Sequence, residues 1–192
     1  MSEFGFGKSV RRVEDDRLLV GQGLFHDDIF IDGQASAVIV RSPHAHAALR
    51  RIDVVEAKAA PGVIGVFTGA DAEAAGIGHM PCLTAAILQL QLSDGSPAYI
   101  PPRPILATGV VKHVGDPVVM VVAETLQQAR EAAELLDVDY DMLPSLTDTA
   151  EAAVDGAIQI WDDAPRNTCF EWTMGDAAAT EAAFAKADRV TT

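Results

Sequence analysis

The chain has 192 residues, 49% of them apolar and 22% charged, a composition that suits one globular domain plus a fragment of a second and excludes a disordered chain. Its 14 basic against 28 acidic residues give a net charge of −14, the wrong sign for nucleic acid or an anionic membrane surface. Cys82 and Cys169 are the only cysteines. Two thiols are too few for a disulfide framework, an iron–sulfur cluster or an all-cysteine zinc site, and a reducing, cytoplasmic compartment is expected.

The opening Met1-Ser-Glu-Phe-Gly-Phe-Gly-Lys8 has no apolar core, so a secretory signal is not expected. Arg11-Arg-Val-Glu-Asp-Asp-Arg17 is an ampholytic run that reads as a solvated face or a docking segment. Ile31-Asp-Gly33 predicts a turn between two strand-like pieces, the first leading from Phe25-His-Asp-Asp-Ile29. Ala37-Val-Ile-Val-Arg41 predicts a strand that stops at Ser42-Pro43. Asp53 is placed to cap a short helix over Val54–Ala60, and Pro61-Gly62 to end it. Val63–Phe67 follows as a strand, and Asp71 is read as opening an alanine-rich helix that fades at Gly76.

Five prolines between Met80 and Pro104 mark a long excursion, interrupted by the apolar piece Thr84–Leu92. An excursion of that size is expected to be functional or docked. Gly109–Val114 and Val118–Ala123 predict strands on either side of Gly115-Asp-Pro117; the second is too short to span a bilayer, which needs about 20 residues. Thr125-Leu-Gln-Gln128 is a capping box opening a helix to about Leu136, with Leu126, Ala129, Ala133 and Leu136 facing the core. Asp137-Val-Asp-Tyr-Asp141 alternates as a half-exposed strand closed by Leu143-Pro144. This order predicts an α+β or α/β domain over roughly residues 8–150, and the reading adopted is α+β, a mixed sheet with a few helices. Beyond residue 150 come a loop around Trp161–Asn167, a strand-like Thr168–Thr173 and a helix over Ala177–Ala187. Arg189-Val-Thr-Thr192 reads as the start of another strand, so the chain looks cut there. Charge is uneven: residues 1–123 carry a net −3 and residues 124–192 a net −11, which reads as solvated faces rather than a ligand site.

Catalytic motifs are scarce. Gly7-Lys8-Ser9 lacks the upstream glycine of a phosphate loop, because Ser2 stands there. No G-x-G-x-x-G turn, G-x-S-x-G elbow or HExxH occurs. His44-Ala-His46 is the one arrangement with site chemistry, since residues i and i+2 of an extended segment point the same way and both imidazoles could reach one ion. The competing reading is a loop whose histidines satisfy local hydrogen bonds or line a domain contact, and no third ligand is identified. His26, His79, His113 and Cys82 are scattered, Asp15-Asp16 and Asp27-Asp28 diverge as solvated pairs, and Trp161 and Trp172 read as interface or core anchors, with core favoured.

Taken together, Arg12-Val-Glu-Asp15, Leu18–Gly21, Phe25-His-Asp-Asp28, Arg41-Ser-Pro-His-Ala-His-Ala47, Ile52-Asp53, Pro61-Gly-Val63, Val114-Gly-Asp-Pro-Val118, Ala123-Glu-Thr125 and Val138-Asp-Tyr140 form an ordered set. It resembles the amino-terminal α/β-hammerhead domain of the molybdopterin-binding large subunit of molybdenum hydroxylases, the family of xanthine dehydrogenase, aldehyde oxidase and aerobic carbon monoxide dehydrogenase. The resemblance places the hammerhead at residues 1–150 and makes 151–192, with Gly175-Asp176 and Phe184-Ala-Lys-Ala-Asp188, a link into the following molybdopterin-binding domain.

It also implies oxidation of an aldehyde, an N-heterocycle or carbon monoxide at a molybdopterin centre, with electrons passing to [2Fe–2S] clusters and FAD. The pterin-contacting motifs and catalytic glutamate of the family would lie outside this stretch. No catalytic, cofactor-binding or metal residue is therefore assigned to residues 1–192, and the chain alone is expected to be inactive. It reads as a fragment of a longer large subunit, or as a split chain that completes a partner. The implied partners are the molybdenum-binding part and the iron–sulfur and FAD subunits. The proline-rich excursion and Arg41–Ala47 are the expected contacts. Two rival readings are a free-standing interaction scaffold without redox activity and a small metal-dependent or hydrolytic enzyme built on His44 and His46.

Overall fold

Val118-Val-Met-Val-Val-Ala123 is the most apolar stretch of the chain, and it becomes the central strand of a three-stranded sheet. The structure is a computed structural model that describes Gly7, Ser9 and residues 11–191; the opening 1–6, Lys8 of the Gly7-Lys8-Ser9 stretch, the position after it at Val10, and Thr192 lie outside the described residues, as do the side chains of residues 84–86. Residues up to Ala35 and residues from Ser36 onward form two units.

In the first unit the ampholytic run yields helix α1, Asp15–Leu19, with Arg12 Nε 3.2 Å from the Asp15 carboxylate. The piece expected as a strand before Gly33 is instead a single 3-10 turn, His26–Asp28, because the Asp28 carboxylate accepts from the Phe25 amide at 2.9 Å and closes it. The turn itself forms, with the Gln34 amide donating to the Ile31 carbonyl and Gly33 at φ +78°.

The second unit holds strands β1 (Ser36–Arg41), β2 (Ala47–Asp53), β3 (Val63–Thr68), β4 (Val110–Val111), β5 (Pro117–Ala123) and β6 (Asp137–Met142). Its helices are α2 (Val55–Ala59), α3 (Gly69–Ala74), α4 (Leu83–Leu88), α5 (Leu126–Ala133), α6 (Thr149–Ala152) and α7 (Ala177–Phe184). The α+β class stands, but the expected mixed sheet is two three-stranded sheets, β1-β5-β3 and β4-β2-β6, with every pairing antiparallel. Helices α2 and α5 each connect a strand of one sheet to a strand of the other, so strand–helix–strand order does not produce parallel neighbours.

In β5, Val119, Val121 and Ala123 share one face with Val38, Val40 and Val66, and all three are fully buried. Each buried valine contributes about 1.5 kcal/mol or more. Ala57 of α2 and Ala129 and Ala132 of α5 join this core without any exposed surface. Leu126, expected to face inward, is 43% exposed, and α5 ends before Leu136. The residues by which α5 meets the valine row are Ala129 and Ala132, and Leu136 packs against the core from beyond the helix end.

Local chemistry sets the other boundaries. Asp53 accepts from the Val55 amide at 3.0 Å, but the cap position of α2 is Val54, so Asp53 acts from one residue before it. Helix α3 is capped by Thr68 rather than opened by Asp71, which sits at the third helical position and whose carboxylate accepts from the Thr68 amide at 2.7 Å. Strand β4 is shorter than the predicted Gly109–Val114 because the Asp116 carboxylate takes the Lys112 amide at 3.0 Å and turns the chain. The segment Thr168–Thr173 forms only an isolated bridge, Glu171 with Gln91. Trp172 is 67% exposed and Trp161 only half-buried, so neither is a core anchor. Among the described residues, no helix is long and apolar enough to cross a membrane.

Two substitutions test these boundaries. Thr125 and Gln128 form the expected capping box on α5, and Gly62, at φ +75°, lies against it: a Cβ there would meet Gln128 Nε2 at 2.2 Å. Thr125→Ala should cost about 1 kcal/mol. Gly62→Ala should cost about 1–2 kcal/mol from the left-handed backbone alone, and the two should be non-additive in urea denaturation because both dismantle one box. The Thr68 hydroxyl and amide hold the Asp71 carboxyl below its ordinary value. Its stabilising contribution is complete above about pH 4 and is lost as pH falls through the lowered value. Asp71→Asn should therefore flatten the acid limb of a stability–pH curve, and an unchanged limb would remove the assignment.

Candidate functional site

The Arg41–Ala47 loop is bent rather than extended. Ser42 is 2% exposed; its hydroxyl accepts from the His44 amide at 3.0 Å and donates to the His44 carbonyl at 2.9 Å. The Ser42 amide donates to the Asp116 carbonyl at 2.8 Å, the Gly115 amide donates to the Ser42 carbonyl at 2.8 Å, and Arg41 Nη1 donates to the Gly115 carbonyl at 2.9 Å. The loop is thereby locked to the turn that precedes β5. The two histidines do not converge. The His44 ring meets Tyr140 edge-on, with centroids 4.9 Å apart, while His46 Nδ1 lies 2.7 Å from the Pro144 carbonyl and donates to it. Burial pushes the Tyr140 phenol up, with its hydrogen bond to Ser42 pulling the other way. The reading of locally satisfied histidines is the one that the geometry supports.

The docking of the excursion agrees with expectation, while the cavity that it helps to enclose escaped the sequence. The proline-rich excursion is docked: the Met80 amide donates to the Arg103 carbonyl and the Tyr99 amide to the Cys169 carbonyl, both at 2.8 Å. Between the excursion, the β4–β5 turn and the segment after Trp161 lies a cavity of about 760 Å³. Its walls include Met80, Tyr99, Pro101, Trp161 and Phe170, with Lys112, His113 and Asp116 as polar groups. Lys112 Nζ donates to the Ile160 carbonyl at 3.0 Å and sits 3.6 Å from the Trp161 ring centroid. Burial holds its ammonium below the ordinary lysine range, opposed by Asp162, Asp116 and Asp163.

His79, His113, Cys82 and Cys169, scattered in sequence, all line this cavity. Burial raises the Cys169 thiol and Cys82 adds to the shift. Nothing in the spacing signals this convergence, because it depends on two chain segments that carry no periodicity. His26 stands elsewhere, fully exposed beside Asp27.

These donors do not fit a metal cofactor. Among the described residues, no group of three or more His, Cys, Asp or Glu side chains converges on a metal position, and two cysteines cannot supply the four thiolates of a cluster. What the arrangement does offer is chemistry of contact: a locked loop, a largely apolar cavity and one desolvated cation on an aromatic face.

The described residues thus make an antiparallel α+β unit with a loop locked by hydrogen bonds and a largely apolar cavity. Residues 20–144 match the family model described as aldehyde oxidase and xanthine dehydrogenase, a/b hammerhead domain. The chain is 34% identical to the carbon monoxide dehydrogenase large chain of Afipia carboxidovorans over 97% of its own length and 23% of that relative. It is 40% identical to the nicotine 6-hydroxylase large subunit of Paenarthrobacter nicotinovorans over 79% of its length and 17% of that relative. The crystal structure of the Cu,Mo-CO dehydrogenase superposes with a TM-score of 0.75 at 34% identity, covering 96% of this chain and 23% of that one. The chain belongs to the aldehyde oxidase and xanthine dehydrogenase family, as its hammerhead domain, a part of a molybdenum hydroxylase large subunit. It spans about a fifth of the length of the curated relatives that it matches.

Lys112 lies inside the span matched by the family model, whereas Ile160 and Trp161 lie beyond it. Lys112→Met keeps the stem but deprives the Ile160 carbonyl and the Trp161 face of their cation, which should cost about 1–2 kcal/mol. Amide exchange over residues 157–167 should accelerate while β1 and β5 stay protected. Unchanged exchange there would show that the lysine does not hold this segment.

Proposed function

We propose that the chain serves as the non-catalytic supporting part of a molybdenum-dependent oxidoreductase that oxidises an aldehyde, an N-heterocycle or carbon monoxide. The molybdopterin centre is carried outside residues 1–192, and the iron–sulfur clusters and FAD sit on partner subunits. Residues 1–150 act as the hammerhead and 151–192 as the link towards the molybdenum-binding part. The assembly works in the cytoplasm, with neither nucleic acid nor membrane as a partner. The observation that carries this reading is the alignment of 97% of this chain with 23% of a carbon monoxide dehydrogenase large chain. The local use of both His44 and His46 supports it, since the two side chains proposed for independent metal chemistry are already engaged.

Arg41–Ala47 and the docked excursion are its contact regions. The free-standing scaffold is not favoured, because relatives and structural neighbours alike are parts of redox enzymes.

The test is co-expression with the molybdenum-binding remainder and the partner subunits, followed by molybdenum and iron quantitation and dye-linked oxidation of each substrate class. Metal and turnover are expected only in the assembled protein. Stoichiometric molybdenum with turnover in the isolated chain would overturn the reading.

A further inference from the structure

The two sheets turn different surfaces outward. On the face of β4-β2-β6 away from the core, Arg50 pairs with Asp141 and Arg51 with Asp137, with Arg51 Nη1 also 2.9 Å from Asp53. Asp139 adds a further exposed carboxylate. Such a ladder is at ease in water. The β1-β5-β3 sheet has no equivalent. Opposite the valine row that α2 and α5 cover, the register lines up Ala37, Val122 and Gly65 in one rung and Ile39, Met120 and Phe67 in the next.

All six are apolar. None belongs to the core cluster, Phe67 is 42% exposed, and Ile39, Met120 and Val122 are half-buried. The Phe67 ring lies across Gly65 so closely that a Cβ there would sit 2.7 Å from it, which shields one glycine but leaves the rest of the face open. Only Val118, at the start of β5, is buried on this side. A three-stranded apolar face of this kind is an interaction surface rather than a solvated one.

We propose that the open face of β1-β5-β3 is the seat of the molybdenum-binding remainder of the large subunit. The inference rests on the function proposed above and adds the surface. Two observations select this occupant over a second copy of the chain. The curated relatives carry this stretch as 17–23% of one polypeptide, so the body four times its length is joined to it covalently. A tethered partner acts at an effective concentration of about millimolar, which an untethered copy does not match. The other sheet's charge ladder already suits solvent, so burial on assembly falls to the uncharged face.

The experiment compares this chain alone with the assembled large subunit, using hydrogen peroxide as the probe and mass spectrometry of Met120 sulfoxide as the readout. Met120 oxidation should slow at least tenfold in the assembly. Phe67→Glu should lower assembly yield at least tenfold, while Asp139→Lys on the charged sheet leaves it unchanged. An assembly that forms with Met120 oxidised at the free-chain rate overturns the inference and leaves the proposed function standing. Failure of any assembly to form overturns both. Protection of Met120 that appears in the chain alone, rises with its concentration and is abolished by Phe67→Glu assigns the face to self-association and overturns the proposal.

Discussion

Strand β5 carries hydrogen-bonded neighbours on both edges, and its Val119–Val121–Ala123 row meets helices through alanine rather than leucine. This close approach is the constraint from which much of the unit follows. A flat β-branched row offers little relief, so a helix laid on it buries most surface by coming near, and only methyl groups allow that distance. Ala57, Ala129 and Ala132 meet the requirement. Larger residues are displaced to the flanks, where Leu136, Val138 and Tyr140 link the same core to the second sheet.

The consequence is a division of labour between surfaces. One face of each sheet is spent on the shared core. Of the outward faces, one bears Arg–Asp pairs and the other bears Ile39, Met120 and Phe67. The connections add a third kind of surface, where the prolines of the excursion, Trp161 and Phe170 enclose a cavity over Lys112. Such variety suits the supporting role proposed for the domain. Local hydrogen bonds keep its loops rigid, as at Ser42 and Asp116, so that they present a fixed shape.

The same economy explains the absence of assembled chemistry around His44 and His46. Each ring is already engaged, one with Tyr140 and one with the Pro144 carbonyl, both on or just after β6. Histidines so used orient a loop against a strand. The acidic second half, which carries most of the net charge, likewise distributes its carboxylates into caps and exposed ladders, such as Asp148 on the Ala150 amide and Asp176 on the Ala179 amide.

By itself the sequence determined the elements whose cause is local. The Thr125–Gln128 box, the Asp53 hydrogen bond to the Val55 amide, the β-branched runs of β1, β3 and β5 and the left-handed turn at Gly62 all follow from neighbours a few residues apart, and the ordered motifs from Arg12 to Tyr140 carried the family. Only the tertiary structure decided the rest. Strand order, the split into two antiparallel sheets, the truncation of β4 by Asp116 and the meeting of Lys112 with Trp161 are set by contacts between segments far apart in the chain. Periodicity states that a residue turns inward; it does not state which partner waits there. That is why Leu126 lies outside the core that its spacing predicts, and why the outward apolar face of β1-β5-β3 is visible only once its register is known.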